Sequence, residues 1–397
     1  MKQKFNKNTF YLYKFLSDCL PIYAFYTILF LNSGLSIAEI SLLLALWSIF
    51  SIIADIPSGM LADRWNRRNM LVLSLLFKGI CFVVWFFSYS FFMFTFGFVF
   101  WAISGAFASG TEEGLVYDNL KSDHCEEDFT KVYGRALFFT NLGAIIGIAS
   151  AGVMANFINL EVIALISAAI CFINMFFALQ IRERNYYSDS LDLDNSSIFQ
   201  TFIEAGKFIR GSGIVIISLT SLVLLANIGG YLDEFDALII NDWELNYIWV
   251  SVILTIRLGF VAVGDLLAPL VQKKLTSIKQ IFQLNLLGGI ILIVFSTFWY
   301  PYFLLLFGLA FMIMTISEIL LINIIQQQIK EEGRATVMSF YGIGQNFVMI
   351  GFTLLFAVLA GIFTLQHIYI IISGYCLVGS AFFWLISKSR SRLAKGD

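Results

Sequence analysis

Several ionisable residues of this 397-residue chain lie inside long apolar runs: Lys14, Lys78 and Arg257 among the bases, and Asp18, Glu112, Glu113, Asp118, Asp233, Glu234, Asp236 and Glu318 among the acids. A charge inside such a run costs at least about 2.5 kcal/mol if the run crosses a bilayer, which makes each one a functional candidate. Arg257 sits near the middle of its run and needs a carboxylate partner. Asp18, Glu318 and the Asp233–Asp236 group can each supply one. The pair is then a substrate or ion-coupling site, or a structural bond between helices. Asp233 and Asp236 are three apart and share a helix face, while Glu234 points away from them. Crowded acids repel and relieve the repulsion by binding a proton, which is the chemistry of a proton-coupling carboxylate. In the competing reading they sit in a wet vestibule near 241–246 and stay solvated. Asp18 follows Lys14 by one turn, so the two can neutralise each other. Glu318 is the most isolated acid. Lys78 reads as a snorkelling residue.

The elements that must hold these groups are membrane helices. Hydrophobic residues make up 59% of the chain and charged residues 13%, and the mean hydropathy is +0.83. This composition excludes a soluble enzyme and a disordered chain. A net charge of −2 provides no basic field for nucleic acid. Cys19, Cys81, Cys125, Cys171 and Cys376 show no CxxC spacing and read as reduced packing residues. A window of about 20 residues finds twelve spans: 10–32, 39–60, 70–89, 91–117, 132–156, 160–181, 213–240, 246–270, 280–299, 302–326, 336–360 and 366–387.

Lys and Arg set the orientation. The N-terminus, every second loop and the C-terminus carry 22 of the 25 Lys and Arg residues, the opposite loops none. The asymmetry predicts both termini in the cytoplasm and an even number of spans. The polar stretch 182–212 divides the chain into bundles 1–181 and 213–397, with Lys207–Ile209 predicted to lie on a surface helix. The halves resemble each other: Gly134-Arg135-Ala136 pairs with Gly333-Arg334-Ala335, each expected to open a helix. Ile103-Ser104-Gly105 pairs with Ile316-Ser317-Glu318, and Ala54-Asp55-Ile56 with Gly264-Asp265-Leu266. A duplicated bundle favours a site near the bilayer midplane.

The segment after span two reads Asp55-Ile-Pro-Ser-Gly59-Met-Leu61-Ala-Asp63-Arg64-Trp-Asn66-Arg67-Arg68. It resembles the signature loop of the major facilitator superfamily, with Asn66 where that family usually has Gly; Asn tolerates the same left-handed backbone. The resemblance implies an all-α membrane protein of twelve transmembrane helices in two six-helix repeats, with spans one, four, seven and ten lining a central cavity. It also implies a cytoplasmic gate built from Asp55, Gly59, Asp63, Arg64, Arg67, Arg68 and Asp118. Asp63 would meet the helix starting near Ala335, and Arg67 or Arg68 would pair with Asp118.

Span five, Gly143-Ala-Ile-Ile-Gly147-Ile148-Ala-Ser-Ala151-Gly152, resembles an exporter-associated pattern and equally fits small-residue helix packing. The Arg of proton-coupled drug exporters is missing from Trp101-Ala-Ile-Ser104-Gly105. The expected activity is alternating-access transport of a small organic solute, cationic or zwitterionic because acids outnumber bases along the pathway, by proton-coupled efflux as in the drug:proton antiporter branch. That pathway comprises Asp18, Glu112, Glu113, Asp233, Glu234, Asp236, Arg257 and Glu318. Tyr23, Tyr26 and Trp101 can stack on a cation or a flat solute. Proton-driven import and a non-transporting membrane sensor are the alternatives. No Walker A, HExxH or GxSxG motif occurs, so neither ATP hydrolysis nor an intramembrane enzyme is expected. The expected partners are the solute, protons and the lipid bilayer, without nucleic acid, cofactor or metal, around a monomer.

Overall fold

The computed structural model describes residues 5–62, 66–109, 111–182, 210–226, 228–275, 277–328 and 334–393. At 56–62, 126, 130, 226, 326, 328, 334–340 and 388–393 the structure describes the backbone only. All regular structure among these residues is helical. Twelve helices are long and apolar enough to cross a membrane: Lys7–Asn32, Ile37–Asp55, Arg67–Phe86, Phe91–Ser122, Lys131–Met154, Leu160–Gln180, Gly213–Asp242, Tyr247–Gln272, Ile278–Thr297, Pro301–Ile325, Tyr341–Ala360 and Leu365–Ser387. In hydrocarbon a helix is the only open-chain element that satisfies its own backbone. Large apolar side chains stay outside at the span ends, where Phe92, Phe157 and Tyr302 are each more than four-fifths exposed.

Contacts group the chain into two compact units, Met1–Asp189 with Ile240–Thr255, and Ser190–Ile239 with Ile256–Asp397. In the first, span three packs on spans four and six, and span one on five and six. In the second, span nine packs on spans ten and twelve.

The helix starts of spans two to four recur in spans eight to ten at a spacing of 210 or 211, and the Ile103–Ile316 likeness, at 213, falls outside it. Span two is part of a 26-residue helix from Ile37, and span eight is a 26-residue helix from Tyr247, 210 positions later. Both begin with a capped turn: Ser36 and Glu39 cap each other, and Asn246 accepts the Trp249 N–H. Spans one and seven both break before a final seven-residue helix, at the 3₁₀ turns Pro21–Ala24 and Asp233–Phe235. Asp55 and Asp265 fit the spacing of 210. Gly134 does not: the helix of span five already runs from Phe129, so Gly134 lies inside it, whereas Arg334 opens its helix. Gly333 is outside the described residues, as are Lys207–Ile209.

Side chains from neighbouring spans serve the broken backbone of span one. Lys78 Nζ donates to the Ser17 carbonyl at 3.3 Å, Asn174 Nδ2 to the Tyr13 carbonyl at 3.0 Å, and the Ile22 N–H reaches Ser167 Oγ at 3.1 Å. In span seven the Leu222–Ala226 turn is a π-helix, and Tyr375 Oη donates to the Leu224 carbonyl at 3.1 Å. Such breaks survive at membrane depth only where protein groups satisfy the released polar atoms.

Candidate functional site

The break in span seven places Asp233 in the 3₁₀ turn and Asp236 at the start of the next helix. Both point at span eight. Arg257 Nη2 lies 3.1 Å from Asp233 Oδ2, and Arg257 Nε lies 2.5 Å from Asp236 Oδ2. The guanidinium also sits 5.0 Å from the centre of the Phe311 ring of span ten, where the π face favours a cation. Asp236 is closed off, with its side chain 2% exposed, while that of Asp233 is 40% exposed. One acid therefore anchors Arg257 and the other is open to exchange. Asp236 Oδ1 is buried and has no hydrogen-bond partner among the described residues. Glu234, half-buried, stands between the two acids in the chain. The span-seven acids, and neither Asp18 nor Glu318, are thus the partners of Arg257.

Glu318 of span ten accepts a hydrogen bond from Tyr341 Oη at 3.2 Å, and Gln345 Nε2 donates to the same hydroxyl at 2.8 Å. No described cation pairs with it. The Tyr231 hydroxyl donates to the Gln345 carbonyl at 3.2 Å and lines an apolar cavity of about 440 Å³ between spans seven, eleven and twelve. The second unit thus places a carboxyl group one hydrogen-bonded chain away from an apolar chamber.

The first unit pairs its charges differently from the sequence reading. Lys14 does not neutralise Asp18: its Nζ meets Glu112 Oε2 at 2.5 Å, and Tyr13 Oη donates to Glu112 Oε1 at 2.9 Å. Lys14 and Asp18 lie one turn apart in the helix Lys7–Asp18, and each turns to a neighbouring span for its partner. Glu112 and Glu113 open the second helical segment of that span, Thr111–Ser122, where an acid suits the helix dipole. Glu113 is exposed and accepts from Tyr133 Oη at 3.1 Å. Asp18 lies 4.0 Å from Lys78, whose ammonium also sits 5.2 Å from the Tyr23 ring. Lys78 is therefore committed to span one and does not snorkel.

Of the gate residues, Arg67 and Asp118 meet at 2.9 Å. A Cβ at Gly114 would collide with the Arg67 guanidinium, so Gly114 gives it room. The bond lies within the first unit. Arg68 is half-buried beside it, Asp55 is exposed on span two, and Gly59 falls in the helix Ile37–Ala62. Asp63 and Arg64 lie outside the described residues. In span five, a Cβ at Gly143 would strike the Phe15 carbonyl, and one at Gly147 would come within 2.7 Å of the Leu20 nitrogen. This small-residue stripe seats the broken part of span one.

The family model of the major facilitator superfamily matches residues 15–353. The chain belongs to the major facilitator superfamily. As a member of it, the chain is a multi-pass membrane transporter that moves a small molecule by alternating access, and it is not an enzyme. An uncharacterised facilitator-type transporter of Bacillus subtilis strain 168, YfkF, is 35% identical over 69 residues. That match spans 17% of this chain and 16% of the relative. Among solved structures, a point mutant of the nucleoside transporter NupG is similar at a TM-score of 0.80 and 15% identity, over 95% of this chain and 98% of that one. A bacterial homologue of the human lysosomal transporter Spinster gives 0.75 at 15% identity over 96% of each chain. A D-xylose–proton symporter gives 0.69 at 13% identity, over 95% of this chain and 96% of that one. These likenesses establish the facilitator fold.

Sequence reasoning missed Phe311, Tyr341 and the role of Lys78 in this facilitator. The signal for Phe311 was available in the repeat. Asp55 and Asp265 set the spacing of 210, and the same spacing places Arg257 opposite Trp47 and Phe311 opposite Trp101.

Proposed function

We propose that this facilitator exports a small organic cation or zwitterion in exchange for protons. It resides in the cytoplasmic membrane with both termini inside, as a monomer with bundles 1–181 and 213–397 joined by 182–212. The observation that carries this reading is the charge balance of the second unit: Asp233, Glu234, Asp236 and Glu318 stand against Arg257 as the one mid-span cation of its described residues. Unbalanced acids at membrane depth bind protons or cations. Asp233 is open while it holds Arg257, so a solute ammonium can compete for it. Glu318, held by a neutral hydroxyl, is the acid best placed to trade a proton. The apolar cavity beside it suits a solute with an apolar body. The clustering of Lys and Arg supports the orientation. Asp55, Gly59, Asp63, Arg64, Arg67, Arg68 and Asp118 form the cytoplasmic gate of this cycle, while Asp18, Glu112 and Glu113 belong to the pathway.

The test uses purified protein in liposomes with a trapped pH dye and an imposed pH gradient. Adding an organic ammonium should start proton movement opposite to the solute. Movement in the same direction would replace export with symport. Solute movement with no proton movement would refute coupling.

A further inference from the structure

The cavity between spans seven, eleven and twelve offers nothing to a polar ligand. Its lining carries two polar side-chain atoms, the hydroxyls of Tyr231 and Tyr375, and both are spent on backbone carbonyls, those of Gln345 and Leu224. An ion or a sugar would lose its hydration there and find no free side-chain partner. The space is about 440 Å³, roughly three times the apolar cavity that stays dry and takes up benzene. It is also long. The lining runs along span eleven from Phe347 to Leu359, about 18 Å of helix. Leu359 lies next to the helix end at Ala360, so the cavity reaches from near mid-membrane to the boundary on the side of the 361–364 connection. One leaflet of the hydrocarbon core is about 15 Å thick. The rim is open: Phe347, Leu355, Ile371 and Tyr375 are exposed although they line the cavity. Span eleven is the least enclosed of the twelve spans. Its glycines Gly342 and Gly351 lie 199 positions after Gly143 and Gly152 of span five. A Cβ at Gly143 would strike the Phe15 carbonyl and one at Gly152 would come within 2.7 Å of Ser251, whereas Gly342 and Gly351 have nothing within 4 Å. The same stripe is covered by protein in the first unit and bare in the second.

We propose that, in the protein without solute, this cavity holds one acyl chain of a bilayer phospholipid, lying along span eleven in the leaflet next to the 361–364 connection. An unfilled apolar space at membrane depth forfeits the dispersion contacts of its walls. The chains outside it are already in hydrocarbon, so one enters through the exposed rim without desolvating any polar group. The length of the lining matches a single chain of a single leaflet, and the apolar wall leaves the headgroup outside, at the boundary. A solute with an apolar body enters the same cavity by displacing the chain. The inference therefore goes beyond the transport reading and does not depend on it.

Photolabelling of the full-length protein tests this. The protein is reconstituted without solute into phosphatidylcholine vesicles containing a trace of phosphatidylcholine with a diazirine in mid-chain, and the label is mapped by mass spectrometry. The comparison is the segment Leu287–Val294 of span nine, where Leu287, Ile290 and Val294 are exposed on an ordinary outer face. Phe347–Leu359 should carry about tenfold more label than that segment, a preference of about 1.4 kcal/mol. Gly351→Phe puts a ring into the cavity from an open Cβ position, and Leu355→Trp fills its mouth from an exposed one. Each should bring the two segments level. Gly105→Phe, at an open glycine of the first unit, should leave the preference intact and show that added bulk alone does not remove it. Equal labelling of the two segments in wild-type protein, or a preference that survives both filling variants, overturns the acyl-chain site. So does label excluded from Phe347–Leu359 with a cross-linked dimer present, which would give this face to a second copy of the chain. With no solute in the experiment, none of these results bears on the organic-cation reading.

Discussion

Arg257 Nε and Asp236 Oδ2 meet at 2.5 Å, with both side chains more than nine-tenths buried. Breaking a buried pair by removing one partner leaves an uncompensated charge and costs about 3–5 kcal/mol. Arg257→Ala should therefore lower the thermal midpoint of the purified protein and abolish transport. The double variant Arg257→Gln with Asp236→Asn should recover most of the stability without recovering transport. An Arg257→Ala protein as stable and active as wild type would show that the pair has neither role.

Glu318 differs from the span-seven acids in having a tyrosine hydroxyl as its partner. Glu318→Gln keeps the Tyr341 hydrogen bond and removes the exchangeable proton. Solute exchange across liposomes should persist while solute-driven proton movement is lost. Proton movement at the wild-type rate in this variant would move coupling to another carboxylate.

The Arg67–Asp118 bond joins the segment after span two to span four within one unit. Arg67→Gln should slow turnover by about tenfold or more and change solute affinity less than threefold, since an exposed or half-buried pair adds only about 1 kcal/mol to stability. The comparison of transport rate with equilibrium binding decides it. Loss of binding in step with turnover would place Arg67 at the solute.

Glycine positions supply a test of the packing. Gly147→Leu should reduce folded yield and lower the thermal midpoint, because its Cβ meets the Leu20 backbone. Gly374→Ala, where nothing lies within 4 Å of the new Cβ, should stay within about 0.5 kcal/mol of wild type. Similar behaviour of the two variants would contradict the seating of span one on span five.

Spans and family were legible because bilayer thickness fixes the length of each apolar run, and the segment from Asp55 to Arg68 has little freedom of type and spacing. The predicted span seven, 213–240, differs from the observed Gly213–Asp242 by two residues at one end. Charge pairing was less legible, since it depends on what the neighbouring spans present. Lys14 and Asp18 lie one turn apart in the helix Lys7–Asp18, yet Lys14 meets Glu112 of span four and Asp18 is left to Lys78 of span three. The partner of Arg257 was open in the sequence for the same reason, and the 3₁₀ turn at Asp233–Phe235 decides it. The Gly134–Gly333 likeness misled because the constant spacing ends before span five.

Solute–proton exchange requires that a cationic solute and a proton compete for the acids of the second unit. Proton release on binding measures it. Wild-type protein in weakly buffered detergent solution, titrated with tryptamine, should release close to one proton per bound amine, and Glu318→Gln should bind the amine and release far less. Binding of the amine to wild-type protein with no proton released would contradict the account.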